Sequence, residues 1–136
     1  MLRTVLICAT LATLAVASPL HAQPQPSPVQ PAPIKRTILQ RADVPGGNLE
    51  VIFATVEIGP GFKTGRHSHP GMVMAKVLEG EFWIALDGQP EKVMKVGESI
   101  TFPDRAIHNE GASDKPVTLD VVYIVEKGKP LVTPAQ

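Results

Sequence analysis

Apolar residues beyond residue 35 fall into short runs and do not show the three- and four-residue spacing of an amphipathic helix. Glycine, proline, aspartate and asparagine, which favour turns, separate the runs. The predicted strands are, in chain order, TILQRA, LEVIFATVEI, MVMAKVL, FWIAL, EKVMKV, SITFP and PVTLDVVYIVEK. Such short and evenly spaced strands predict an all-β sandwich or barrel. The continuous apolar run VVYIV predicts a strand that is covered on both faces.

The first 22 residues have the pattern of a secretory signal peptide. Arg3 provides a positive start, Thr4 to Val16 form a mostly apolar run, and small residues follow. Cleavage is expected after Ala22, with Ala17 as the alternative. The apolar run is shorter than the roughly 20 residues that span a membrane, so an uncleaved anchor is the less favoured interpretation. The pattern predicts a periplasmic or secreted protein that has no membrane association beyond its signal.

A proline-rich linker is predicted at residues 23–34, where five prolines occur in QPQPSPVQPAPI. Proline lacks an N–H group and has a fixed φ, so this segment suits an extended spacer and not the interior of a sheet. The folded domain is then expected at residues 35–136, about a hundred residues, which suffices for one core. The only cysteine, Cys8, lies in the predicted signal, so the mature protein is expected to have no disulfide.

The charge balance gives no reason to expect nucleic acid as a partner, since 13 basic residues face 13 acidic ones. A small-molecule ligand is the expected partner. Phe82 and Trp83 are neighbours on one predicted strand, so one of the two rings should face the core and the other should face outward. An outward aromatic ring would suit a homodimer interface.

Outside the predicted signal the chain has three histidines, His67, His69 and His108. Side chains at positions i and i+2 of a strand share a face, so His67 and His69 can point into one site. His108 can reach that site from another strand. Neutral imidazole binds first-row metals, and the sequence predicts a divalent transition metal such as iron, manganese, zinc, nickel or copper.

Two segments resemble the paired motifs of the cupin superfamily. Gly61 to Gly80, GFKTGRHSHPGMVMAKVLEG, resembles the first motif, and Gly97 to Ala112, GESITFPDRAIHNEGA, resembles the second. The tail YIVEKGKPL also resembles that of small exported single-domain cupins. The resemblance implies a jelly-roll β-barrel, also called a double-stranded β-helix, with a site inside it. It also implies that His67, His69 and His108 are the metal ligands.

The sequence departs from the family pattern at three positions. The family glutamate maps onto Val73, a glycine of the second motif onto Arg105, and its final asparagine onto Ala112. Glu79 has the parity of Val73 but lies six residues on, about 20 Å along a strand, and Glu81 is further still. No carboxylate nearby in sequence can replace the missing one, which leaves open a carboxylate from another strand. Without it, three imidazoles leave the metal's charge uncompensated and make it a stronger Lewis acid.

Val73 and Arg105 are the candidate substrate-binding residues. Arg105 precedes His108 by three residues and would bind a substrate carboxylate at the cavity rim, or else is simply solvated. Lys76 has the opposite parity to Val73 and should lie outside the cavity. The methionines allow a thioether site for copper(I), but core packing or a subunit contact is the favoured interpretation. They are Met72, Met74 and Met94.

The function that these observations favour is an exported metal-dependent cupin enzyme that acts on a small molecule, with dioxygenase-like oxidation ahead of isomerisation or hydrolysis. The alternative is a non-catalytic cupin module that binds a small ligand, with no metal because Val73 replaces the glutamate. A structural dimer without a ligand is the third hypothesis. The substrate and the metal are not specified by the sequence, because a fold does not define a reaction.

Overall fold

The structure is a computed structural model that describes residues 33–136. The predicted signal peptide, both of its cleavage points and linker residues 23–32 lie outside the described residues. The first strand begins at Ile34, the last residue of the predicted linker. Among residues 33–136 no helix is long and apolar enough to cross a membrane.

Ten strands make up the described part of the chain. They are β1 (Ile34–Asp43), β2 (Leu49–Ile58), β3 (His67–Ser68), β4 (Gly71–Glu79), β5 (Phe82–Leu86), β6 (Lys92–Met94), β7 (Ser99–Phe102), β8 (His108–Ala112), β9 (Val117–Glu126) and β10 (Thr133–Pro134). Seven of them coincide with the predicted runs. The three others, β3, β8 and β10, are short and mostly polar, so they carry no apolar signal in the sequence.

The strands form two five-stranded antiparallel sheets. The first sheet has the order β1-β2-β9-β4-β7 and the second has the order β10-β3-β8-β5-β6. Strands that are distant in sequence, such as β2 and β9, pair along their whole length. The prediction of an all-β jelly roll is confirmed.

The core lies between the inner faces of the two sheets. Along β9 the inward residues are buried, namely Val117, Leu119, Val121, Tyr123 and Val125. The outward residues of the same strand are only half-buried. The prediction that VVYIV is covered on both faces is therefore wrong, because β9 is central in one sheet and the second sheet covers only one side of it.

Phe82 and Trp83 are both buried, with 0% and 9% of their surfaces exposed. Phe82 packs in the core. Trp83 points to the other face but lies against Gly111, where a β-carbon would come within 3.0 Å of the indole. The Lys63 ammonium lies 5.5 Å from the centre of the Trp83 ring system. The prediction that the two rings face opposite sides of the strand is confirmed, but the outward ring of Trp83 is not open to solvent, because a glycine and a lysine from the chain itself cover it.

Candidate metal centre

Two strands of the second sheet bring the three histidines together. His67 on β3 lies directly opposite His108, the first residue of β8. Strand β3 consists of His67 and Ser68 alone. His69 follows it, and its side chain points to the same side as that of His67. The three rings are buried, with 5%, 6% and 1% of their surfaces exposed. Their centroids lie 4.3–5.1 Å apart.

Backbone carbonyls set the tautomer of all three rings. The Nδ1 atoms lie 2.9 Å, 2.7 Å and 2.8 Å from the carbonyl oxygens of Gly65, Leu131 and Ala106 for His67, His69 and His108 respectively. A carbonyl oxygen only accepts a hydrogen bond, so each Nδ1 carries the hydrogen and each Nε2 keeps its lone pair. One ring nitrogen from each histidine lies within 4.8 Å of the other two.

These rings are held neutral. Burial lowers the pKa of His69 and of His108 to about 4, and burial also lowers the pKa of His67, while the hydrogen bonds to the carbonyls act in the opposite direction. The Nε2 atom of His108 is buried and has no hydrogen-bond partner among residues 33–136. An unpartnered buried acceptor is costly, and a metal ion is a partner that would satisfy it. Three neutral imidazoles with oriented Nδ1–H groups fit a first-row transition metal.

A carboxylate from β8 lies beside this group. Glu110 follows His108 by two residues and faces the same way, and its Oε2 lies 3.7 Å from the His108 Nε2. Its side chain is only 14% exposed. Burial raises the pKa of Glu110 to about 7, and the positive charge of Arg36 lowers it. Sequence reasoning did not single out Glu110, although its parity with His108 in HNE was a usable signal.

Val73, the residue at the family glutamate position, is buried and lies opposite Tyr123 and Phe102 in the first sheet. It lines a small cavity together with His69. Glu79 is exposed and accepts a hydrogen bond from the Thr118 hydroxyl, so it does not substitute for the missing ligand. Glu81 is exposed as well.

Arg36 enters the site from β1 of the first sheet. Its Nε donates a hydrogen bond of 3.1 Å to the Tyr123 hydroxyl, and its guanidinium carbon lies 5.4 Å from the centre of that ring. The Tyr123 ring in turn lies edge-on to His69, with 5.4 Å between centroids. Nothing in the sequence distinguishes Arg36 from a solvated arginine, because its strand was only weakly amphipathic.

A cavity of about 200 Å³ opens beside the histidines, between the β1 edge of the first sheet and β3 of the second. Its lining is part apolar and part charged. The lining residues are Ile34, Arg36, Phe62, Thr64, His67, Glu110 and Val132. A small molecule in this cavity would contact one histidine of the set, one cation and one carboxylate.

Arg105 lies outside that lining. It is exposed, and its guanidinium contacts the carboxylates of Asp104 and Glu126. Its φ of 55° is the only positive value at a non-glycine residue within residues 33–136, at the position where the motif has glycine. Its proposed contact with a substrate carboxylate stays a prediction.

The methionines do not form a site. Met94 is buried opposite Phe82, whereas Met72 and Met74 are exposed on the outer face of β4. Core packing is confirmed for Met94. Lys76 is exposed on that same outer face, which confirms its predicted position outside the cavity.

The profile of the cupin domain matches residues 54–125, more than half of the chain. The chain belongs to the cupin family. No curated protein sequence matches it.

Solved structures that share this fold include a cyclase, an oxidase and a lyase. The polyketide cyclase RemF from Streptomyces resistomycificus is 23% identical with a TM-score of 0.61, and the match covers 76% of this chain and 72% of that one. A recombinant oxalate oxidase in complex with glycolate is 21% identical with a TM-score of 0.58, covering 78% and 57%. The DMSP lyase DddQ from Ruegeria pomeroyi DSS-3 is 19% identical with a TM-score of 0.57, covering 62% and 43%. This cupin thus spans less than half the length of the DMSP lyases it matches.

Proposed function

We propose that this chain is an exported cupin that holds a divalent transition metal on His67, His69 and His108 and acts on a small molecule in the adjoining cavity. One observation carries the proposal. Three backbone carbonyls fix the Nδ1–H tautomer of three buried rings, which leaves each Nε2 with a lone pair, and one ring nitrogen from each histidine lies within 4.8 Å of the other two. A set of histidines that served only packing would not need three rings clustered with free lone pairs, one of which, on the buried His108 Nε2, has no partner among residues 33–136.

The favoured reaction class is an oxidation of the oxygenase type, with isomerisation as the runner-up. A metal held by nitrogen ligands supplies a Lewis acid and, for iron, manganese or copper, a redox centre. The residues of the chain supply the remainder of the site. Glu110 places a carboxylate at the histidines, Arg36 places a cation at the cavity, and Phe62 and Val132 provide an apolar part of the lining.

Metal analysis of the full chain, purified without a metal-chelating tag, tests this proposal. We expect about one metal ion per chain in the wild type, far less in His67→Ala, and an unchanged content in Ser68→Ala. Ser68 is the matched control because it lies between the two histidines in sequence and faces away from them. Dioxygen uptake by the metal-loaded protein with small organic substrates then tests the oxidation. A wild-type protein that retains no metal and whose thermal unfolding is indifferent to chelators would overturn the metal site.

A non-catalytic binding module is the second candidate. The replacement of the family glutamate by Val73, which is buried among apolar neighbours, favours it. A His67→Ala variant that binds a small molecule as tightly as the wild type does would support this alternative over the enzyme.

Export and self-association remain predictions as well. Cell fractionation with and without residues 1–22 tests the signal peptide, for which retention in the cytoplasm is expected after truncation.

The homodimer loses its predicted contact, since Trp83 is covered by the chain itself. Light scattering gives the mass of the particle in solution and decides between monomer and dimer.

A further inference from the structure

One arginine differs from the others in its surroundings. Residues 33–136 contain four arginines, and three of them contact carboxylates. Arg41 lies 3.0 Å from Glu50, Arg66 contacts Asp87, and Arg105 contacts Asp104 and Glu126. Arg36 has no carboxylate within 4.0 Å among the described residues, although it is less exposed than they are.

The contacts that Arg36 does make leave the hydrogen-bonding end of its side chain free. Its Nε is the only donor atom that has a partner within the described chain, the Tyr123 hydroxyl. That hydrogen bond and the contact with the Tyr123 ring hold the guanidinium in place. Arg36 lines the two cavities that also contain His67, His69 and Glu110, and neither of its terminal nitrogens has a hydrogen-bond partner within residues 33–136. A partly buried cation without a counter-charge is costly unless a ligand completes it.

Glu110 does not form an ion pair with Arg36. Its carboxylate is more than 4.0 Å from the guanidinium and lies 3.7 Å from the His108 Nε2. With a divalent metal on the histidines, the cavity would hold two positive charges from the metal and one from Arg36 against one negative charge from Glu110. The net charge of the site would be positive, with one positive centre at the histidines and the other at Arg36.

We propose that the ligand of this cavity is a small carboxylate, which Arg36 holds through the paired donors of its guanidinium. The fork of two N–H groups matches the two oxygens of a carboxylate. The proposal rests on the proposed function for the ligand's contact with the metal, but not for its contact with Arg36. A cavity of about 200 Å³ that is open on one side has the volume of about seven waters, which suits a short acid.

The test compares each acid with its uncharged amide. Full-length protein loaded with cobalt(II), whose absorption reports its ligands, is titrated with acetate, lactate and benzoate and with acetamide, lactamide and benzamide. We expect at least one acid to bind the wild type more tightly than its amide. In Arg36→Gln the affinity for that acid should fall about 10- to 100-fold, the range of a hydrogen-bonded charged group. Arg36→Lys keeps the positive charge but lacks the paired N–H donors, so its affinity for the acid should lie between that of the wild type and that of Arg36→Gln.

Lys35→Gln is the matched control. It removes one positive charge from the neighbouring position of β1, where Lys35 is exposed and paired with Glu57. The affinity for the acid should not change in that variant, which separates contact in the cavity from the overall charge. The cobalt affinity of Arg36→Gln should equal that of the wild type.

Two results overturn the proposal: acids that bind no more tightly than their amides, or an Arg36→Gln protein that binds an acid as well as the wild type does. Failure of the metal site is a separate result. A protein that binds no cobalt but binds an acid in an Arg36-dependent way, measured by calorimetry, refutes the proposed function and supports the carboxylate.

Discussion

The two ends of the sandwich are built from the same strands and have opposite chemistry. On β9 the inward residue Val117 is fully buried in the apolar core, whereas Tyr123, six residues on, contacts His69 and Arg36. On β8 the change runs the other way, from His108 at its start to the buried Ala112 at its end. We call the end that contains His69, His108 and Tyr123 the polar end, and the end that contains Ala112 and Val117 the apolar end. The alternation of inward and outward residues is the same at both.

What differs is whether the buried groups are satisfied within the chain. At the apolar end burial alone provides the stabilisation. At the polar end the His108 Nε2 has no partner, Glu110 is buried with its pKa raised, and Arg36 lacks a counter-ion within residues 33–136. These groups are costly until ligands bind them. The comparison indicates that the apolar end stabilises the fold, whereas the polar end gains stability from what it binds.

The largest effect is expected at the apolar end. Ile58→Ala removes a side chain that is 1% exposed and lies opposite Val117, and the free energy of unfolding should fall by about 2–5 kcal/mol. Urea unfolding of the metal-free protein measures it. The metal affinity of the folded variant should remain within threefold of the wild type. A larger loss of metal affinity would show that the two ends are coupled.

Acid should destabilise the polar end of the metal-free protein. The folded-state pKa values of His69 and His108, about 4, lie below the ordinary value of 6.5. The unfolded chain therefore binds more protons, and stability is lost as the pH falls from 6.5 toward 4. Glu110 acts in the opposite direction, because its pKa is raised in the folded state and its protonation favours folding.

The net loss should be on the order of 3 kcal/mol over that pH range, since two histidines outweigh one carboxylate. Arg36 also faces these groups and repels the protonated rings. Chemical denaturation at a series of pH values measures the loss. Glu110→Gln should make the loss steeper. A stability that is flat from pH 6.5 to pH 4 would contradict the neutral, buried state of the histidines.

The metal should depend on Glu110. Glu110→Gln retains the size of the side chain but removes the negative charge beside His108, and metal affinity should fall about 10- to 100-fold. Competition with a chromophoric chelator measures the dissociation constant. Installing the family's carboxylate on the other sheet, in the double variant Val73→Glu with Glu110→Gln, should recover most of the loss. Recovery fails if residue 73 does not face the metal, and an unchanged affinity in Glu110→Gln excludes Glu110 from the site.

The sequence predicted most of what the apolar pattern encodes. Long strands such as β2 and β9 follow from their composition, and the three histidines follow from parity and spacing. Strands β3 and β8 could not be found in that way, because their polar residues are buried by pairing across the sheet and not by hydrophobicity. Glu110 could have been found from its parity with His108, but its contact with the cavity that Arg36 lines, like the role of Arg36 itself, could not. Both depend on which strands become neighbours, and no local spacing records that.

Arg105 gives the smallest expected effect and tests the sequence-based prediction most directly. Arg105→Gly should change the free energy of unfolding by less than about 1 kcal/mol. The relief of the left-handed backbone at φ 55° and the loss of two exposed ion pairs are each of that size and act in opposite directions. Acid affinity should not change, in contrast to Arg36→Gln. Thermal unfolding and the titration with short acids measure both quantities. A weaker binding of the acids in Arg105→Gly would return the carboxylate contact to the rim, where the sequence first located it, and would extend the polar end beyond the two cavities.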